Sequence, residues 1–94
     1  MLKDITYVQP LENHCLYLRF EDGAEGNVDV TALVKFTGVF SPLRDRKYFR
    51  QVRVNPDLGT ICWPNGADLD PDVLYAIVTG QPLTLSASEL ALAA

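Results

Sequence analysis

Residues 14–30, His14-Cys15-Leu16-Tyr17-Leu18-Arg19-Phe20-Glu21-Asp22-Gly23-Ala24-Glu25-Gly26-Asn27-Val28-Asp29-Val30, decide the fold. Successive side chains of an extended chain point to opposite sides. Leu16, Leu18 and Phe20 therefore share one face, and Cys15, Tyr17 and Arg19 share the other. This is the pattern of a half-buried strand. The stretch Glu21-Asp22-Gly23-Ala24-Glu25-Gly26 then supplies the Asp-Gly chemistry that reverses a chain through a positive φ at glycine. Asn27-Val28-Asp29-Val30 can pair back. The expected product is a β-hairpin.

Working outward, Asp4 to Gln9 reads as a first strand with Ile5 and Tyr7 on one face, stopped by Pro10, which cannot donate a backbone hydrogen bond. Thr31 is expected to cap a short helical turn through Lys35, ended by Gly38. Ser41 to Asp45 breaks regular structure around Pro42, and Lys47 to Val52 spaces Tyr48, Phe49 and Val52 on one side of a short helix. Val52-Arg53-Val54 and Gly59-Thr60-Ile61-Cys62-Trp63 form a second hairpin around Asn55-Pro56-Asp57-Leu58-Gly59. A better-marked helix follows. Asp70 suits its N-cap, Pro71 its first turn and Asp72 its positive end, while Val73, Leu74, Ile77 and Val78 form its apolar stripe. Gly80 and Pro82 stop it after Thr79. Ser86-Ala87-Ser88-Glu89 has capping-box spacing ahead of a last, short helix.

The chain has 94 residues, with 8 Lys plus Arg, 12 Asp plus Glu and one His, a net charge of −4, 48% hydrophobic residues and 21% charged ones. These are ordinary globular proportions. A chain this short buries about 60 to 65% of its unfolded surface, enough for one core and too little for an enclosed multi-residue catalytic pocket. The expectation is a small single α+β domain of antiparallel β-hairpins with short helices packed on the sheet, its core spanning residues 4–80 and its tail or last helix residues 81–94. No apolar run approaches the roughly 20 residues that cross a bilayer. Met1-Leu2-Lys3-Asp4 lacks the apolar core of a signal peptide, so a cytoplasmic location without membrane association is expected.

Few residues suggest chemistry. Cys15 and Cys62 have no CxxC spacing and read as small buried hydrophobes. His14 is the only candidate base for Ser/His or Cys/His catalysis, but its neighbour Cys15 would point to the opposite face, leaving a partly exposed strand-end histidine. Asp68, Asp70 and Asp72 alternate like the start of a calcium loop, yet the loop's glycine and bidentate glutamate are missing and Pro71 fits a helix start. No catalytic residues, cofactor or metal are expected, and the protein is read as a non-enzyme.

Two segments point to a surface. Arg44, Arg46, Lys47, Arg50 and Arg53 place five of the eight cations within ten positions, a concentration that steers acidic partners or grips phosphates. Its plainer interpretation is a solvated helix face. Trp63-Pro64-Asn65-Gly66-Ala67-Asp68 offers Trp63 as an interface anchor with Asn65 and Asp68 beside it; the plainer interpretation puts Trp63 in the core.

Phe20-Glu21-Asp22-Gly23, Phe40-Ser41-Pro42-Leu43-Arg44-Asp45, Tyr48 to Val54, and Trp63-Pro64-Asn65-Gly66-Ala67-Asp68-Leu69-Asp70-Pro71-Asp72 together resemble a bacterial family known as domain of unknown function 2442, over about residues 4–78. The resemblance implies two β-hairpin units with short helices. Members occur alone or ahead of a helix-turn-helix domain, and are often encoded beside another small protein, which implies a regulatory or antitoxin-like pairing with that protein. No catalytic residues carry over. With the chain ending near residue 94, direct operator binding is not implied. The expected function is a protein-interaction module contacting its partner through Trp63, Asn65, Asp68, Arg44, Arg46, Lys47, Arg50 and Arg53. The alternative is phosphate-driven association with nucleic acid through residues 44–53. Homodimerisation through a sheet edge, burying Leu85, Leu90 and Leu92, stays open.

Overall fold

A computed structural model describes residues 3–80. The expected final helix and the leucines assigned to a dimer contact lie outside those residues. Strands β1 (Ile5–Pro10), β2 (Cys15–Phe20) and β3 (Glu25–Asp29) form an antiparallel sheet in the order β1-β2-β3. Helix α1 (Arg46–Phe49), the hairpin of β4 (Arg53–Asn55) and β5 (Thr60–Cys62), and helix α2 (Pro71–Thr79) follow. The result is the α+β arrangement of antiparallel sheets and short helices that the alternation and capping signals predict.

The face carrying Leu16, Leu18 and Phe20 is buried. Opposite them on β3 lie Gly26, at Leu18, and Val28, at Leu16. A Cβ at Gly26 would come within 3.3 Å of the Val78 side chain, so the bare glycine lets α2 lie close against the sheet. The turn before β3 is tied to the same helix by Tyr75, whose hydroxyl donates to Asp22 Oδ2 at 2.5 Å while its ring meets Phe20 edge-on. The two hairpins join where Ile5 N–H donates to the Gly59 carbonyl at 3.0 Å. Gly59 has φ +70°, and this left-handed conformation selects glycine, with the Asp4 carboxylate lying against its bare Cα.

Four local readings change. In β1, Ile5 pairs with Phe20 but Tyr7 pairs with Arg19, so one extra residue, Thr6, forms a bulge. The bulge reverses the alternation: Ile5 is buried and Tyr7, expected on the same face, is 44% exposed. After β3 the cap is Asp29, whose carboxylate accepts from both Thr31 N–H and its hydroxyl, and the helical piece is a single 3-10 turn over Val30–Ala32. Where Ser41 to Asp45 is expected to break regular structure, a 3-10 helix spans Gly38–Arg44, contains Pro42 and buries Leu43. Asp45 then caps α1 by accepting from Lys47 N–H, so α1 starts at Arg46 and ends at Phe49, short of the expected Val52. At α2 the signals hold. Asp70 accepts from Asp72 N–H, Pro71 opens the helix, and Gly80 closes it in the left-handed conformation.

Candidate interaction surface

Trp63 is only 1% exposed, and its Nε1–H donates to the Phe49 carbonyl at 2.9 Å. The anchor role assigned to it is therefore corrected. The indole fills the space between α1 and β5, where a buried N–H must find an acceptor, and it finds one at the C-terminal end of a four-residue helix. Asn65 is exposed but fully used. Its Nδ2 donates to the Val39 carbonyl, its Oδ1 accepts from Ala67 N–H, and its backbone N–H donates to the Tyr48 hydroxyl. Trp63 N–H donates to the Ala67 carbonyl across this turn, and Asp68 bridges back to Cys62. The segment is a clamp that fastens Gly38–Arg44 and α1 to the second hairpin, with Pro64, Asn65 and Asp68 at the surface.

The basic residues behave differently. Arg44, Arg46, Lys47, Arg50 and Arg53 are all exposed. Arg44 Nε donates to the Phe36 carbonyl at 2.9 Å, fixing the segment before α1. Arg46 pairs with Glu12 at 3.1 Å, both side chains about three-quarters exposed (74% and 75%). That is the one ion pair among the described residues, leaving Lys47, Arg50 and Arg53 without a carboxylate partner there. The nearest acid in sequence, Asp45, is occupied as the helix cap. Arg53 lies on β4 opposite Cys62, so the cationic surface continues from α1 onto the hairpin.

Arg46 and Arg50, one helical turn apart, face the β1–β2 turn and with it line a cleft of about 160 Å³ walled by Glu12, Asn13, His14 and Phe49. Asn13 (φ 61°) and His14 (φ 58°) are both left-handed, a conformation in which Asn and His are over-represented among non-glycine residues. The turn is closed by Leu11 N–H to the Cys15 carbonyl and Cys15 N–H to the Glu12 carbonyl. The His14 ring sits 5.2 Å from Phe36 and 5.0 Å from Phe49, and its Nε2 is sealed from solvent with no hydrogen-bond partner. His14 is thus partly exposed at the start of β2, as expected, with its Nε2 alone enclosed.

The alternation puts Tyr17 and Arg19 on the outer face of the sheet, and the structure adds Tyr7 to them. Thr6 shifts Tyr7 onto the face that carries Tyr17 and Arg19, where the two tyrosine rings meet at 6.0 Å. The Arg19 guanidinium lies 5.6 and 5.8 Å from their centroids. It donates to the Tyr17 hydroxyl, which raises its pKa above the ordinary value, and Tyr17 in turn donates to Glu25. The bulge is not written in the alternation, so the place of Tyr7 in this cluster was invisible. Cys15 shares this outer side and is half-buried, whereas Cys62 is buried as expected.

The sequence profile of a family described as Protein of unknown function (DUF2442) matches residues 5–80. The chain belongs to this family. No curated protein and no solved structure matches the chain. The DUF2442 match covers both hairpins and both α-helices, so the clamp and the basic surface both lie inside the family domain. Among the described residues no group of three or more His, Cys, Asp or Glu is gathered as a metal ion requires, and no helix is long and apolar enough to cross a membrane. Asp70, one of the alternating aspartates, is spent on capping α2.

Proposed function

We propose that this DUF2442 domain is a non-enzymatic protein-interaction module, the regulatory or antitoxin-like member of a small bacterial protein pair, and that it receives an acidic partner on its basic surface. The observation that carries this reading is the state of Lys47, Arg50 and Arg53: exposed, without an ion-pair partner among the described residues, and set on a chain whose net charge is −4. A cationic patch on an acidic protein raises the encounter rate with a negative surface and repels a second copy of the same patch. Trp63 no longer belongs to the contact set, and Asn65 serves the clamp. The proposed contact consists of Arg46, Lys47, Arg50 and Arg53, with Arg44 and Asp68 at its margin. A stable complex needs about 1,000 Å² or more of buried surface over both partners, which extends the contact beyond α1.

Nucleic acid is the second reading, favoured because four of the five cations are arginines, whose planar forks match phosphates. The acidic remainder of the chain opposes it. Purification of the tagged protein at moderate salt, with identification of what accompanies it and light scattering of the product, separates the two. One stoichiometric protein partner supports the module. Recovery of nucleic acid whose affinity falls steeply between about 50 and 200 mM salt overturns it in favour of phosphate binding.

A further inference from the structure

We infer that the cleft between the β1–β2 turn and α1 is a carboxylate-binding site, which seats one acidic side chain of the partner between Arg46 and Arg50 and beside His14. This rests on the proposed acidic partner and deepens it by naming where a single acidic residue is gripped. Three independent features meet in the cleft. It is a concave space of about 160 Å³, room for one short side chain and too small for a folded element. Two guanidinium groups a helical turn apart line it, and only Arg46 is engaged, through one contact to Glu12 at 3.1 Å. An arginine has five N–H donors, so both retain the forked pair that a carboxylate accepts.

The third feature is His14. A buried polar nitrogen without a partner is unusual in a folded protein and costs free energy until it is satisfied. Its Nε2 is such an atom, flanked by Phe36 and Phe49 in a turn where His14 itself is left-handed, and it is closed to solvent. A carboxylate entering the cleft reaches it by turning the imidazole outward, which supplies the missing acceptor to an Nε2–H tautomer. Glu12 shows that a carboxylate reaches Arg46 at the mouth of the cleft, and because that pair is largely exposed it is weak and readily exchanged. Glu12 therefore acts as an internal occupant that the partner's acid displaces.

The test is nuclear magnetic resonance titration of the full chain with sodium acetate, observing the His14 ring and the Arg46 and Arg50 side-chain Nε–H groups, with sodium chloride at equal ionic strength as the control. Saturable shifts at all three residues with acetate and none with chloride are expected. Arg50→Gln should weaken the acetate response at least tenfold while its backbone spectrum stays folded, and Lys35→Gln, an exposed cation outside both the cleft and the proposed contact, should leave it unchanged. Shifts that never saturate, or that persist equally in Arg50→Gln, overturn the site. Inorganic phosphate binding tenfold or more tighter than acetate overturns the carboxylate assignment in favour of a phosphate site. Partner capture reports separately: capture without an acetate site leaves the module standing and removes the cleft, and an acetate site without capture does the reverse.

Discussion

Residues 44–53 and residues 63–68 carry the two densest clusters of side chains capable of making an interface, and the fold sends them in opposite directions. The basic segment lies on the surface, with three of its cations unpaired among the described residues. The tryptophan segment turns inward and spends its hydrogen-bonding groups on the protein's own backbone. Composition alone does not separate them, since Trp and Arg are both enriched at contacts. What separates them is whether a local acceptor exists. Trp63 has the Phe49 carbonyl at the end of α1 within 2.9 Å, whereas Lys47, Arg50 and Arg53 make no ion pair among the described residues and Asp45 is taken as the helix cap.

The largest expected effect that would break this contrast is at Trp63. Trp63→Ala should cost about 3 to 5 kcal/mol, from the cavity together with the lost indole hydrogen bond, and so remove much of the stability of a domain this size. Urea unfolding measures it, and a folded variant near the wild-type midpoint would return Trp63 to the surface. Asn65→Ala should cost about 1 to 2 kcal/mol, because two side-chain hydrogen bonds across the clamp are lost together. An unchanged midpoint would mean that water replaces both. Asp70→Ala, which removes the α2 cap and leaves the clamp intact, should cost about 0.5 to 2 kcal/mol in thermal unfolding.

The smallest effect concerns acid sensitivity at the far end of α2. The hydroxyl of Tyr75 and the backbone N–H of Ala24 donate to the Asp22 carboxylate and hold its pKa below the ordinary 3.8. A depressed folded pKa gives stability that is present above the unfolded value and lost as pH falls through the folded one. Asp22→Asn should therefore narrow the difference in unfolding midpoint between about pH 6 and about pH 3. A difference as wide as wild type would remove Asp22 from the acid response.

Elements fixed by neighbours in sequence were legible. The alternation of Leu16, Leu18 and Phe20 and the Asp70-Pro71 start of α2 depend on periodicity and capping within a few residues, and both appear where expected. Features fixed at long range were not. The bulge at Thr6, which reverses the facing of Tyr7, sits beside Ile5, whose N–H is held by the Gly59 carbonyl from the far hairpin. The cleft joins His14 to Arg46 and Arg50 across more than thirty positions, so its members read as a lone histidine and a solvated helix face. Of the candidate contact residues, the cations kept their surface position, while Trp63 was legible only as an amphipathic side chain whose partner, a backbone carbonyl, leaves no mark in sequence.

The central claim is that the basic segment makes contact while the tryptophan segment holds the fold. Its most direct test is partner capture by wild type and by the Lys47→Gln, Arg50→Gln, Arg53→Gln triple variant, side by side, with the urea midpoint of each. Surface substitutions of this kind are expected to shift stability by about 0.5 kcal/mol or less each. The prediction is a folded variant, with a midpoint near wild type, that loses a stoichiometric protein partner. A folded variant that keeps its partner undiminished, or a wild-type protein recovered only as a bare monomer or homodimer, would contradict it.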